Sequence, residues 1–324
     1  MKNVAIIMGG YSSEYKISLT SGNVVFNNIN RAKFNAYRIH VFKEKWVYVD
    51  ENNTEFPIDK NDFSVVVNGT KVNFDVVFNA IHGTPGEDGL MQAYFELLHI
   101  PQTSCDYYQA ALTFNKRDML SVLKPYGIKT AESYYLNLGD EINVETILAK
   151  VGLPCFVKPN KSGSSFGISK VKTAVEFLPA IENAYKEDDE IIIESFLDGT
   201  EVSVGVINYK GEIKVLPITE IVSENDFFDY EAKYLGKSQE ITPARISDEL
   251  KVKIETVSKR AYEVLKMKGF SRSEFIIVNN EPFMLEMNTI PGLTTESILP
   301  QQAREAGISL PELFENAIEL ALKK

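Results

Sequence analysis

Residues 270–288 constrain this chain more than any other stretch: two arms rich in strand formers flank an Asn279-Asn280 pair, the pattern of a β-hairpin. If the arms pair symmetrically about Asn280, Glu274 faces Glu286 and Arg272 faces Asn288. The period of two then puts all four on one face. Like charges directly opposite each other destabilise a sheet, so something positive must sit between the two carboxylates. Glu274, Glu286 and Asn288 form an all-oxygen set suited to Mg2+, which takes a few carboxylates and completes its shell with phosphate oxygens. A merely solvated polar face is the alternative. The loop that follows Asn288, from Thr289 to Ser297, is too specific for packing alone and favours the metal.

At 324 residues the chain predicts two or three domains. A net charge of −11 argues against nucleic acid as the main partner. No apolar run approaches the ~20 residues that span a bilayer, and the start of the chain is too short an apolar run for a signal peptide, so a cytoplasmic protein without membrane contact is expected. Cys105 and Cys155 cannot build a disulfide framework and read as buried thiols.

A strand over 4–8, a Gly9-Gly10 turn and a helix over 18–28 are followed by a strand over 74–79, a glycine loop over 82–89 and a helix over 90–98. This order describes a parallel α/β layer with its crevice at the carboxyl ends of the strands. Residues 41–72 read as less regular, with a small hairpin. The middle segment predicts helices over 110–123 and 174–184 and strands over 155–158, 168–172 and 190–194. The last third predicts strands over 201–208 and 213–220, a polar loop over 225–240, a helix over 248–267, the hairpin, and a helix over 310–323.

Alternation points Phe156 and Lys158 to one face, an apolar slab beside a cation, which suits an adenine ring next to its phosphates. The Ser/Gly loop that follows, 161–167, offers backbone N–H groups and hydroxyls able to cover phosphates. Gly236-Lys237-Ser238 imitates the end of a Walker A motif, but position 231 is Glu where that motif needs Gly. The aromatic and charged loop around it reads as a lid. Glu14 follows a strand end and a Gly-Gly turn. It reads either as a carboxylate for an ammonium group or as part of a helix cap. His82 opens onto the same crevice, where a structural role is the alternative.

Together the motifs GGYSSE (9–14), IHGTPGEDG (81–89), KPNKSGSSFG (158–167), IIIESFLDGTEV (191–202), DYEAKYLGKS (229–238) and MLEMNTIPGLTTES (284–297) resemble the D-alanine–D-alanine ligases of the ATP-grasp superfamily, essentially end to end. The resemblance implies an α/β chain of three-domain ATP-grasp architecture, with an N-terminal Rossmann-like parallel sheet domain over 1–100, a central subdomain over 101–197 and a C-terminal subdomain over 198–324 that carries the metal and substrate site. It implies ATP as co-substrate, held by Lys116, Phe156, Lys158, Ser164, Ser165, Glu194, Phe196, Leu197, Glu201, Lys233 and Leu285. Two Mg2+ ions, replaceable by Mn2+, would sit on Glu274, Glu286 and Asn288. Glu14, Ser164, Tyr234, Arg272 and the Gly292 backbone match the catalytic set, and Glu14, His82, Arg272, Gly292, Ser297 and Ile298 the D-alanine sites. A homodimer and a role in peptidoglycan precursor synthesis are also implied. Glu274 stands where Asp is usual, Ser195-Phe196 replaces a basic-aromatic pair, Phe228 replaces a lid tyrosine, and Phe166 is bulkier than the usual residue. Ligases that join D-alanine to D-lactate or D-serine, and a catalytically silent nucleotide binder, are the competing readings. Intact Lys158, Arg272, Glu274, Glu286 and Asn288 count against the last.

Overall fold

The computed structural model describes residues 1–163, 166–223 and 238–323. Strand Lys2–Gly9 lies between Phe34–Val41 and Val76–Asn79 and runs parallel to both. Residues Val4 to Met8 are fully buried, as a parallel strand covered on both faces must be. Helix Tyr15–Asn28 and the late helix Leu310–Leu322 close one face, where Met8, Val25 and Phe78 pack with Phe314 and Ile318. The rings of Phe78 and Phe314 meet edge to face, centroids 5.6 Å apart. Helix Leu90–Leu97 closes the other face through Met91 and Phe95.

The stretch expected to be less regular is instead a meander. Strands Trp46–Val49, Glu55–Asp59, Ser64–Val67 and Thr70–Val72 extend the sheet antiparallel from Phe34–Val41, so the seven-stranded sheet is mixed. Its strands are only three to five residues long, too short for alternation to stand out from the polar turns between them.

A second sheet holds Ser169–Val171, Cys155–Pro159, Glu190–Ser195 and Ser133–Asn137 in that order, all antiparallel. Helices Val144–Val151 and Phe177–Ala184 cover the face that carries Cys155, Val157, Ile191 and Ile193. Alternation sends Phe156, Lys158 and Glu194 to the opposite face.

The third sheet is antiparallel in the order Ser238–Ile241, Thr219–Ser223, Thr200–Tyr209, Phe270–Val278, Glu281–Asn288, with Glu212–Val215 folded back on Thr200–Tyr209. Val202, Val204, Phe275 and Met284 point into a core shared with helix Asp248–Val264 and with Ala110, Met119, Leu120 and Leu123. The single helix expected over 110–123 is two, Tyr107–Phe114 and Lys116–Leu123. Asn115 breaks it by capping the second helix, its side-chain oxygen accepting from the Asp118 amide at 3.0 Å. Asn160, fully buried after strand Cys155–Pro159, donates to that same oxygen at 2.8 Å and accepts from the Arg117 amide at 2.9 Å. Lys116 is thereby fixed at the start of its helix, against the second sheet.

Candidate active site

The hairpin pairs Glu274 with Glu286 and Arg272 with Asn288, but not by the symmetric register expected from sequence. Asn279 and Asn280 both have positive φ, 51° and 61°, as a tight two-residue turn requires. Near the turn Val278 pairs with Glu281 and Phe275 with Met284. Leu285 is an extra residue, a β-bulge, and beyond it the register shifts to align Glu274 with Glu286. The bulge breaks the alternation, so Leu285 and Glu286, consecutive in sequence, both face the same cavity.

Each acid already has a cation. Arg272 is ion-paired with Glu274 and donates to Ser203 Oγ at 3.3 Å. Lys116 Nζ lies 3.2 Å from Glu286 Oε2 and donates to the Ser162 carbonyl at 2.8 Å. Among the described residues no three His, Cys, Asp or Glu side chains gather as a metal cage. Two carboxylates and one amide oxygen instead suit a hard cation that keeps part of its shell for water and phosphate oxygens, so the donor set fits Mg2+. Asn288 Oδ1 accepts from the Ile290 amide at 3.0 Å, which orients its oxygen.

Between the second and third sheets lies a cavity of about 470 Å³. Phe156, Phe196, Leu197, Ile276 and Leu285 give it apolar walls, and Lys116, Lys158, Glu194, Glu201, Glu274 and Glu286 bring charge to it. The Phe156 and Phe196 rings lie 6.2 Å apart. Lys158 Nζ bonds Glu194 Oε2 at 2.7 Å. Burial alone would lower the lysine pKa, but the charges of Glu194, Glu286 and Glu201 outweigh it and raise it, so Lys158 stays cationic. The other Glu194 oxygen, Oε1, is buried with no partner among the described residues.

A second group of residues surrounds loops 82–89 and 288–293. Glu14 stands at the N-terminus of helix Tyr15–Asn28, yet its side chain makes no capping bond, which removes the cap alternative. A Cβ placed on Gly163 would lie 2.7 Å from Glu14 Oε2, and one on Gly83 would lie 3.3 Å from it. With no Cβ on either glycine, both loops approach that carboxylate without displacing it. His82 is buried with both ring nitrogens engaged, Nδ1 with the Ile290 carbonyl at 2.8 Å and Nε2 with Ser21 Oγ at 2.9 Å. Burial lowers its pKa, so the ring is neutral and serves as a tie between elements rather than presenting a nitrogen to a ligand. A Cβ on Gly292 would lie 2.7 Å from Ser297 Oγ, which in turn bonds Thr294 Oγ1 at 2.7 Å. Ile298 is buried against Ile221.

Sequence reasoning missed Glu87 and Ser21. Glu87 is buried and accepts from the Gly83 amide at 2.6 Å and the Ile290 amide at 3.2 Å. Burial, with the Glu14 and Glu286 charges, pushes its carboxyl up to about 8 against the pull of those two N–H groups. A carboxylate inside a glycine-rich loop was the available signal; Ser21, one serine in a helix, offered none. Ser164, Ser165, Lys233, Tyr234 and Phe228, with most of the expected lid, lie outside the described residues. Cys105 and Cys155 are both buried free thiols, as expected.

Two antiparallel sheets that grip a charged cavity, beside a mixed N-terminal α/β layer, define an ATP-grasp enzyme. The profile of the D-ala D-ala ligase N-terminus matches residues 3–105, and that of the D-ala D-ala ligase C-terminus matches residues 122–319. The chain belongs to the D-alanine–D-alanine ligase family. It is 80% identical over 322 residues, 99% of this chain and 100% of the relative, to a D-alanine–D-alanine ligase of Flavobacterium johnsoniae. The VanG D-Ala:D-Ser ligase of Enterococcus faecalis superposes with a TM-score of 0.86 at 32% identity, over 99% of both chains. A D-alanine–D-alanine ligase of Bacillus anthracis complexed with ATP superposes with a TM-score of 0.81 at 27% identity, over 100% of this chain and 98% of that one. Among the described residues no helix is long and apolar enough to cross a membrane.

Proposed function

We propose that the chain joins two D-alanines into D-alanyl-D-alanine at the expense of ATP, as a step of peptidoglycan precursor synthesis. The observation that carries this is the single cavity in which Phe156, Phe196 and Leu285 form apolar walls while Lys116 and Lys158 stand by the acid pair Glu274 and Glu286. The adenine would lie against the apolar walls, and Glu194 Oε1, which has no partner among the described residues, would accept from its amino group. Glu201 faces the ribose.

Lys116 and Lys158 hold the phosphates, and Ser164, Ser165 and Lys233 complete that set. The first D-alanine's carboxylate attacks the γ-phosphorus in line, ADP leaves, and an acyl phosphate remains. Mg2+ on Glu274, Glu286 and Asn288 would neutralise charge on the phosphate oxygens. Glu14, with Ser164 and Tyr234, orients the first ammonium. The second amine, having lost its proton, attacks the acyl carbon, and phosphate leaves. Arg272 and the Gly292 N–H stabilise the oxyanion, each donor worth roughly 3–4 kcal/mol as in other oxyanion holes. Ser297 and Ile298 bound the second substrate's pocket.

The same reading carries a division at 1–100, 101–197 and 198–324, a homodimer and a cytoplasmic location. The test is D-alanine-dependent ADP release together with mass detection of the dipeptide. Segment 225–240 contains no histidine that could carry a cation to repel an ammonium group. With D-alanine and D-lactate supplied together at pH 6–7, D-alanyl-D-alanine should therefore dominate. Mostly depsipeptide would replace the product assignment, and absence of D-alanine-dependent ADP release would overturn the ligase reading.

A further inference from the structure

Loop 288–293 holds the proposed oxyanion donor, the Gly292 N–H, and begins at the proposed metal ligand Asn288. Nothing in its own sequence rigidifies it except Pro291, and it lies at the end of a strand, where backbone is least constrained. Yet it is tied on both sides of Gly292 to a loop and a helix that pack with the first sheet, 203 to 272 residues away. On one side, the Ile290 N–H donates to Glu87 Oε1 at 3.2 Å while the Ile290 carbonyl meets His82 Nδ1 at 2.8 Å. One peptide residue is thus held at donor and acceptor together. On the other side, the Leu293 N–H donates to Ser21 Oγ at 3.2 Å. Ser21 Oγ is also 2.9 Å from His82 Nε2, so a neutral ring with its proton on Nδ1 satisfies the whole chain of bonds. Glu87 also accepts from the Gly83 N–H at 2.6 Å, which ties the same carboxyl group to the loop that faces Glu14.

We infer that Glu87, supported by His82 and Ser21, is a positioning residue for the proposed transfer: its carboxyl group clips the loop of Asn288 and Gly292 onto the glycine loop beside Glu14, and so fixes the oxyanion donor relative to the first substrate's ammonium site. Glu87 touches no reacting atom in this reading. The Ile290 N–H has two acceptors, Glu87 Oε1 and Asn288 Oδ1. Glu87 keeps that N–H satisfied when the Asn288 oxygen turns to another partner, which an unassisted loop could do only by leaving a buried donor unmade.

Glu87→Gln tests the clip at constant size. Gln has one accepting oxygen where two N–H groups must be met, so one tie breaks. In the ligand-free protein, amide exchange at Ile290 and Leu293 should quicken while exchange in strand Phe270–Val278 stays as it was. In the enzyme, kcat for dipeptide formation should fall about 100-fold, the loss a misplacement of about 1 Å brings, with KM for ATP changed less than about threefold. Ser21→Ala, which leaves no unmet charge, should give the same pattern to a lesser degree, and Glu87→Asp should recover part of kcat. Unchanged exchange at 290–293 in folded Glu87→Gln, or a loss confined to KM for ATP, would overturn the clip. The inference rests on the ligase reading but fails separately from it: a wild-type protein that makes no dipeptide sinks that reading, whereas the exchange measurement needs no substrate.

Discussion

The two halves of the candidate site are built by different means. The proposed nucleotide side, between the second and third sheets, is a set of side chains on strands: alternation points Phe156, Lys158, Glu194, Glu201 and Glu274 into one cavity, and the bulge at Leu285 brings Glu286 to it. The proposed substrate side is made of loops whose backbone does the work. There Gly83, Gly163 and Gly292 allow close approach, and buried polar groups from distant sequence fix the loops. Strand-borne groups keep their place when a neighbour is replaced, because the strand backbone sets their direction. Loop-borne groups act jointly, so one substitution moves several.

The largest effect is expected on the strand side. Under the proposed metal assignment, Glu286→Gln should lower ADP formation by about three orders of magnitude, since a developing phosphoryl charge would lose its metal anchor. The melting temperature should move by no more than about 2–4 °C, because the Lys116–Glu286 pair is partly exposed and the like charge of Glu274 is relieved. Steady-state ADP release and calorimetry decide it; near-normal turnover would sink the metal assignment, and collapse of the fold would break the contrast between the two sides.

Lys158→Ala sharpens the same contrast. It should raise KM for ATP about 100-fold and, unlike Glu286→Gln, destabilise by about 3–5 kcal/mol, because Glu194 is left as a buried charge without its cation. Adding Glu194→Gln should restore much of the stability and none of the affinity. Chemical denaturation of the single and double variants reads both numbers, and additive losses would refute the pairing argument.

On the loop side a pH signature follows from Glu87. Its folded carboxyl is held at about 8, against an ordinary value near 4.3 in an unfolded chain. The folded protein therefore keeps a proton that the unfolded chain gives up. The stability this contributes is complete below the ordinary value and lost as pH rises through 8. His82, whose pKa burial lowers, acts in the opposite direction below its ordinary 6.5, so the clean window is pH 6.5–8. Over it, stability should fall by at most about 1.4 kcal/mol per pH unit in the wild type and less steeply in Glu87→Gln. Parallel denaturation curves for the two proteins would remove Glu87 as the cause.

The smallest effect concerns the far end of the hairpin. Asn280→Gly relieves a positive φ of 61° and should stabilise the protein by at most about 1 kcal/mol, with ADP release unchanged. Altered activity would mean that the turn communicates with the acids at the other end of the strands.

What could be read from sequence divides along the same line. The cross-strand pairs Glu274–Glu286 and Arg272–Asn288 were legible, although for an incomplete reason, since symmetric pairing cannot anticipate the bulge at Leu285. Periodicity carries strand faces well and register irregularities poorly. Sequence put a metal ion beside the acid pair; the side-chain cations that stand there are Arg272 from the same hairpin and Lys116 from a helix far off in sequence, and alternation placed only Arg272 on that face. The meander over 46–72 was missed because its strands are too short to show a period. His82 illustrates the converse: sequence placed it as opening onto the crevice, whereas the structure buries it between Ser21 and Ile290, partners 61 and 208 residues away that leave no local trace.

The helix Leu310–Leu322 seals a sheet whose first strand is Lys2–Gly9, and this sets a timetable for the growing chain. Phe78 has its sequence neighbours early, but the ring that covers it, Phe314, arrives only after almost all of the intervening chain has been made. At typical synthesis rates that interval is roughly 10–50 seconds. During it the part of the Val25 and Phe78 surface that helix Leu310–Leu322 covers lacks its cover, although helix Tyr15–Asn28 is already made. A nascent chain stalled before residue 310 should therefore be sticky and protease-sensitive in a region that is already sequence-complete, and the first third of this protein matures last.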